Sequence, residues 1–205
     1  MSDPLVFLPG LLSDARVFEP QIAALSRHLP ITILPTGKRD TVEEAATEIL
    51  EALPKKVGLC GIGLGGVIAI EMLRLAPERI GRIALINTSA QADTPNEAAA
   101  REPRIVAAKS GRFGEIVREE FAPAFFHPSP RRTDLVVRMT GMGRALGAEV
   151  YSAARLEVDA HYHVRSLFFV GVTFAFPVAG TSRIGSSTKK IACIRYSTCA
   201  TQSGQ

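Results

Sequence analysis

The sequence predicts an α/β protein: a parallel sheet with helices on both faces, and a helical segment following it. Three observations carry this. Through residues 5–86, short apolar runs alternate with helix-forming segments, two of them of ten or more residues, the signature of strand–helix–strand units. Between Val57 and Glu71 an apolar run meets the turn Gly61-Ile62-Gly63-Leu64-Gly65-Gly66, which opens directly into an amphipathic stretch; that is a strand, a sharp turn and a helix. From Thr94 to about Leu156 the strand-like runs stop and only helical periodicity remains.

Each element has its own warrant. Leu5-Val6-Phe7-Leu8 is a short apolar run ended by Pro9-Gly10, and Ile31-Thr32-Ile33-Leu34 reads as a second strand. Thr41 to Leu53 reads as a helix. Thr41 is its N-cap and Glu44 the capping-box partner, with Val42, Ala45, Ala46, Ile49 and Leu50 on one face. Val57–Cys60 is the next strand, Gly65–Leu75 the helix after the turn, and Ile83–Ile86 a further strand. Helical periods then appear over 97–109, 113–121 and 134–146, broken by Pro103, Pro123, Pro128 and Pro130. At 205 residues and 46 % apolar composition, the chain is long enough to bury the core of one domain.

The glycine turn carries the functional signal. It resembles the nucleophile elbow of the α/β-hydrolases, which reads Gly-x-Ser-x-Gly with serine at a strained apex. Here Gly63 stands at the apex, so a hydrogen replaces the nucleophile. Gly61 and Gly65 remove collisions around the apex, and Gly66 lets the helix lie close to the strand. The stretch LVFLPGLLSDARVFEPQIAALS resembles the first core strand and oxyanion loop of the same family, and Ala76-Pro77-Glu78-Arg79-Ile80 its turn after the elbow helix. By that resemblance the backbone N–H groups of Leu11 and Leu64 form the oxyanion hole. The family's cap corresponds to the helical segment. The resemblance covers roughly residues 3 to 156. It implies a core over 1–93, a helical cap over 94–160 and an atypical tail over 161–205 that is not native to the fold.

The tail differs in composition. Beyond residue 165 the chain carries Arg183, Lys189, Lys190 and Arg195 without an acidic residue, and these account for the whole formal net charge of +4. The charge is therefore not a footprint for nucleic acid, and no such partner is expected. After Pro177 no helix or strand period stands out. In the family the acid and base follow the nucleophile in the order Asp or Glu, then His. Leu167–Gly171 faintly resembles the strand before the acid, but Val172, Thr173 and Phe174 follow it, and no histidine occurs after His163. The expectation is a truncated α/β-hydrolase-like sheet, inactive, whose last strand presents an unpaired edge. Its ligand is a small ester-like molecule.

Other readings compete. Gly61-x-Gly63-x-x-Gly66 also satisfies the dinucleotide fingerprint, but the acid it demands at the end of the next strand is replaced by Asn87-Thr88, with Asp93 in a loop. A third class is a small-molecule binder without chemistry. Under the elbow reading no cofactor is required. His161 and His163 flank Tyr162 near Asp159, yet no ligand set for a metal converges around them. His28 closes a helix, His127 belongs with the cap, and Ser13 and Ser89 lie near strand ends as loop or cap residues. Cys60 ends a strand and reads as a buried small apolar side chain. Three scattered cysteines give no disulfide framework and fit a reducing compartment. Met1-Ser2-Asp3-Pro4 has no basic region, and the uncharged window 166–182 is interrupted by Gly171, Pro177 and Gly180. A cytoplasmic protein without a membrane partner is expected.

Overall fold

The computed structural model describes residues 3–36, 39, 41–88, 95–123, 126, 128–156 and 190–194. In chain order the elements are β1 (Leu5–Leu8), α1 (Glu19–Leu25), β2 (Ile31–Ile33), α2 (Val42–Ala52), β3 (Val57–Ile62), α3 (Leu64–Leu75) and β4 (Ile80–Ile86). They continue with α4 (Pro95–Ala107), α5 (Phe113–Glu120), α6 (Arg132–Leu156) and β5 (Lys190–Ile194). The five strands form one sheet in the order β2-β1-β3-β4-β5, and every pair is parallel.

Alternation along β1 divides the core. Val6 and Leu8 point into the larger cluster, where α2 contributes Val42, Ala46 and Ile49 and α3 contributes Ile68 and Met72. Phe7 points to the other face, where it stacks on Phe18 with ring centroids 4.4 Å apart and meets Ile22 and Leu25 of α1. Helices thus cover both faces of the sheet, which is why β3 reads as an unbroken apolar run rather than an alternating one. Helix α2 starts where the sequence predicts. Thr41 has extended backbone, and its hydroxyl accepts the Glu44 N–H at 3.1 Å.

Three sequence expectations are corrected. Pro103 does not break a helix; it lies inside α4. Proline removes one i→i−4 bond there, and the burial of Ile105 and Ala108 holds the helix together across it. The break falls instead at Ser110 and Gly111, where Gly111 adopts φ +90°. The second correction concerns the tail: Lys190–Ile194 is a strand, paired with β4 in the register Arg82↔Lys190 to Ile86↔Ile194. Its Ile-Ala-Cys-Ile run has no period of two to announce it. Within the sheet, β4 therefore has partners on both sides and does not present the unpaired edge expected. The helical period over 134–146 also extends further than the sequence predicts, since α6 runs to Leu156 with a non-helical break at Gly147 (φ +86°).

Helices α4–α6 pack on one another and on the loop after β1. Leu12, Ala108, Ile116, Val117 and Tyr151 form a separate buried cluster. Tyr151 is fully buried, its hydroxyl 3.3 Å from Glu120 Oε1 and 3.4 Å from Arg104 Nε, so one side chain ties the three helices together. None of the helices among the described residues is long and apolar enough to cross a membrane.

Candidate functional site

Strand order places the site. From β1 the chain crosses to β2 on one side and then to β3 on the other, so the connections diverge from the carboxyl ends of β1 and β3. In open parallel sheets that divergence leaves a crevice for ligands. A cavity of about 460 Å³ lies here, between the loop after β1, the start of α3 at Leu64, and Leu146, Val150 and Ala154 of α6.

The turn after β3 is tight and fully specified. Gly63 has φ +51° and ψ −118°, a conformation that side chains rarely tolerate. Its N–H donates to Ile86 O at 3.0 Å, and its carbonyl accepts the N–H of Gly66 at 2.9 Å and of Val67 at 3.1 Å. Thr88 adds a hydroxyl donor to the same carbonyl at 3.2 Å. A Cβ built on Gly63 meets nothing within 4 Å, so the apex opens onto free space. Its neighbours are packed differently. A Cβ on Gly65 would stand 2.1 Å from Leu8 O, one on Gly61 2.4 Å from Gly65 O, and one on Gly66 1.9 Å from Thr88 Oγ1. The start of α3 therefore lies against the end of β1 at a distance only hydrogen side chains allow.

The loop after β1 faces this turn. Leu11 and Leu64 both line the cavity. Leu64 is the first residue of α3, so its N–H is one of the helix-opening donors without an i−4 acceptor in the helix. Leu12 adopts φ +56° although it is not glycine, at a cost of about 1–2 kcal/mol. Its side chain is buried against Val117 and Tyr151, so the packing of α5 and α6 holds the loop in that conformation. Ser13 closes the loop, with both its N–H (3.2 Å) and its hydroxyl (2.9 Å) bonded to Gly10 O. Thr36, buried in the loop after β2, donates to Pro9 O at 3.0 Å.

Two charged side chains, Asp14 and Arg39, line the cavity. Asp14 accepts the Arg16 N–H at 2.9 Å and pairs with its guanidinium, which holds the Asp14 carboxyl below its ordinary value. Arg39 forms a two-point pair with Glu48 of α2 and lowers the Glu48 carboxyl in the same way. Cys60 lies on the far face of the sheet beside Phe7 and Phe18; burial pushes its thiol up to about 11, so it is a poor nucleophile.

Among the candidates read from the sequence, Gly61, Gly63, Gly65, Gly66, Leu11, Leu64 and Ser13 come together at the ends of β1 and β3. His28 lies apart, one turn beyond α1, with its N–H on Leu25 O. Ser89, Asp93, His127, Asp159, His161, Tyr162, His163 and the run 167–174 lie outside the described residues. Among the described residues no three His, Cys, Asp or Glu side chains are grouped to hold a metal. Sequence reasoning missed Thr36, Arg39 and Val150. The first two sit in a polar loop after β2 with no motif, and Val150 carries only a helical period.

No family model matches the chain. Solved structures do. The enol-lactonase from Burkholderia xenovorans LB400 superposes with a TM-score of 0.66 at 22 % identity, over 78 % of this chain and 66 % of that one. A hydrolase from Pseudomonas aeruginosa PA01 gives 0.63 at 23 % identity, over 76 % and 64 %. A thermophilic esterase from Thermogutta terrifontis gives 0.65 at 18 % identity, over 77 % and 64 %. The chain thus spans slightly less than two thirds of the length of these structures. With a parallel sheet, helices on both faces and a glycine-lined strand–turn–helix at its centre, the chain has the α/β-hydrolase fold.

Proposed function

We propose that this protein is a hydrolase-fold protein that binds a small ester-like molecule in the cavity between β1, α3 and α6 without forming a covalent acyl intermediate. One observation carries the reading. The apex of the turn after β3 has the strained backbone φ +51° and ψ −118°, with open space where a side chain would project, and glycine occupies it. The N–H groups of Leu11 and Leu64 are the oxyanion donors in this reading. Both residues line the cavity, and Leu64 opens α3, whose helix dipole favours negative charge. Such donors stabilise developing charge by several kcal/mol only when an attacking group creates it. With none at residue 63, they serve to orient a carbonyl oxygen.

Support for the elbow over the dinucleotide use of Gly61-x-Gly63-x-x-Gly66 comes from the matched structures, described as a lactonase, a hydrolase and an esterase. An active-site fluorophosphonate tests the proposal. The expected result is no covalent labelling and esterase turnover equal to buffer. Stoichiometric labelling, mapped to any serine, overturns it.

A further inference from the structure

The turn that carries the Leu11 N–H is held in a form its own residues disfavour. Residues 10–13 make a β-turn closed by the Ser13 N–H on Gly10 O at 3.2 Å, and the Ser13 hydroxyl donates to the same carbonyl at 2.9 Å. Leu12 takes the third place with φ +56°, while Leu11 stays outside the positive region. That is the type II form, which normally requires glycine or asparagine in the third place. A leucine left to itself would abandon it. At negative φ the turn takes its type I form, with Ser13 still on Gly10 O and the Leu11–Leu12 peptide turned over. The polar face beside the Leu11 N–H is then reversed, with carbonyl and N–H exchanging sides.

The restraint comes from α5 and α6. Leu12 is buried in one cluster with Ala108, Ile116, Val117 and Tyr151. Helix α6 reaches it through a glycine. A Cβ on Gly143 would stand 3.0 Å from Val117 Cγ1, 3.2 Å from Phe121 Cε2 and 3.4 Å from Leu12 Cβ, so the three side chains converge on one point of that helix. Leu12 also lines the cavity, whereas Val117 and Phe121 do not. We infer, resting on the proposed function in which this turn receives a ligand carbonyl, that Leu12 is a positioning residue through which α5 and α6 fix the polar face of the turn. Helix packing and carbonyl binding are thereby coupled, although the helix side chains behind Leu12 stay out of the cavity. Such coupling is reciprocal, so a bound carbonyl tightens the packing in return.

The coupling has a signed test. The full chain is titrated by ligand-observed NMR with ethyl hexanoate and, separately, with ethyl hexyl ether, in which a methylene replaces the carbonyl. The ratio of the two affinities separates the carbonyl from the apolar wall, and melting curves monitor the fold of each variant. The native ratio is expected to favour the ester about tenfold. Leu12→Ala loses the packing but keeps the aversion to positive φ, so the competent turn becomes a minor form and the ratio drops severalfold. Leu12→Gly loses more packing still, yet it populates both signs of φ about equally, and the ratio recovers to within about twofold of native. A residue that served only as core would show no such recovery. Val117→Ala should lower the ratio in the native background and leave it unmoved in Leu12→Gly. A native ratio in folded Leu12→Ala, no recovery in Leu12→Gly, or an unmoved ratio in Val117→Ala overturns the positioning role while the carbonyl reading stands. A native chain that binds neither probe, or both equally, overturns the carbonyl reading and this inference with it.

Discussion

The close approach of α3 to β1 makes a quantitative prediction at two glycines two residues apart. In Gly65→Ala the new Cβ stands 2.1 Å from Leu8 O and 2.5 Å from Leu8 C and Pro9 O, all backbone atoms. No rotamer change relieves this, and restoring ordinary contact requires about 1.3 Å of separation between α3 and the end of β1. Both elements are in the main core, through Leu8 and Ile68, so the movement disturbs packing on both sides of the gap. Overpacking of this kind costs about 1–3 kcal/mol and occasionally more. At Gly63→Ala the space is free and the cost is backbone strain alone, also about 1–3 kcal/mol and at its lower end when no clash is added. The prediction is an order: Gly65→Ala loses more stability than Gly63→Ala. Urea denaturation measures it through the midpoint at unchanged slope, and each kcal/mol lowers Tm by about 2–4 °C in a domain of this size. If Gly65→Ala melts with the native chain, or above Gly63→Ala, the packing of α3 on β1 has been misread.

Two further outcomes follow from single side chains. Burial raises the Cys60 thiol from 9.0 to about 11, so the unfolded chain releases this proton first as pH rises. The stability Cys60 contributes is complete below pH 9 and lost between about pH 9 and 11, and Cys60→Ala should flatten that part of the urea-midpoint profile; an identical profile refutes it. Thr41→Ala removes the hydroxyl that accepts the Glu44 N–H at 3.1 Å and should cost about 1 kcal/mol in the same assay, with Thr41→Ser restoring most of it.

How much was legible differs from residue to residue. Gly61, Gly63, Gly65 and Gly66 could be recognised as a turn because glycine clusters have few other uses between an apolar run and an amphipathic one. Leu11 stands beside them only by the family resemblance, and Ser13 reads from the sequence as a loop or cap residue near a strand end. Arg39 and Thr36 were invisible. Nothing local distinguishes a cavity residue in a polar loop from a solvated one, and Glu48 reads as any exposed helix carboxylate. Leu12 gave no sign of its positive φ, because leucine avoids that region unless packing elsewhere compensates.

The sequence by itself determined the alternation of strands and helices, the N-cap at Thr41, the buried face of α2 and the glycine turn at residues 61–66. These depend on periodicity, on a cap three residues from its donor, and on what one residue type can or cannot do, all of which are local. The tertiary structure decided the order β2-β1-β3-β4-β5, the seat of β5 on β4, the helix of α4 running through Pro103, and the cavity between β1, α3 and α6. Each of these is settled by groups far apart in the chain. Leu12 is held by Val117 and Tyr151, and Lys190 pairs with Arg82. No window of a few residues contains both halves of such a contact, so its energy enters only when the chain has closed upon itself.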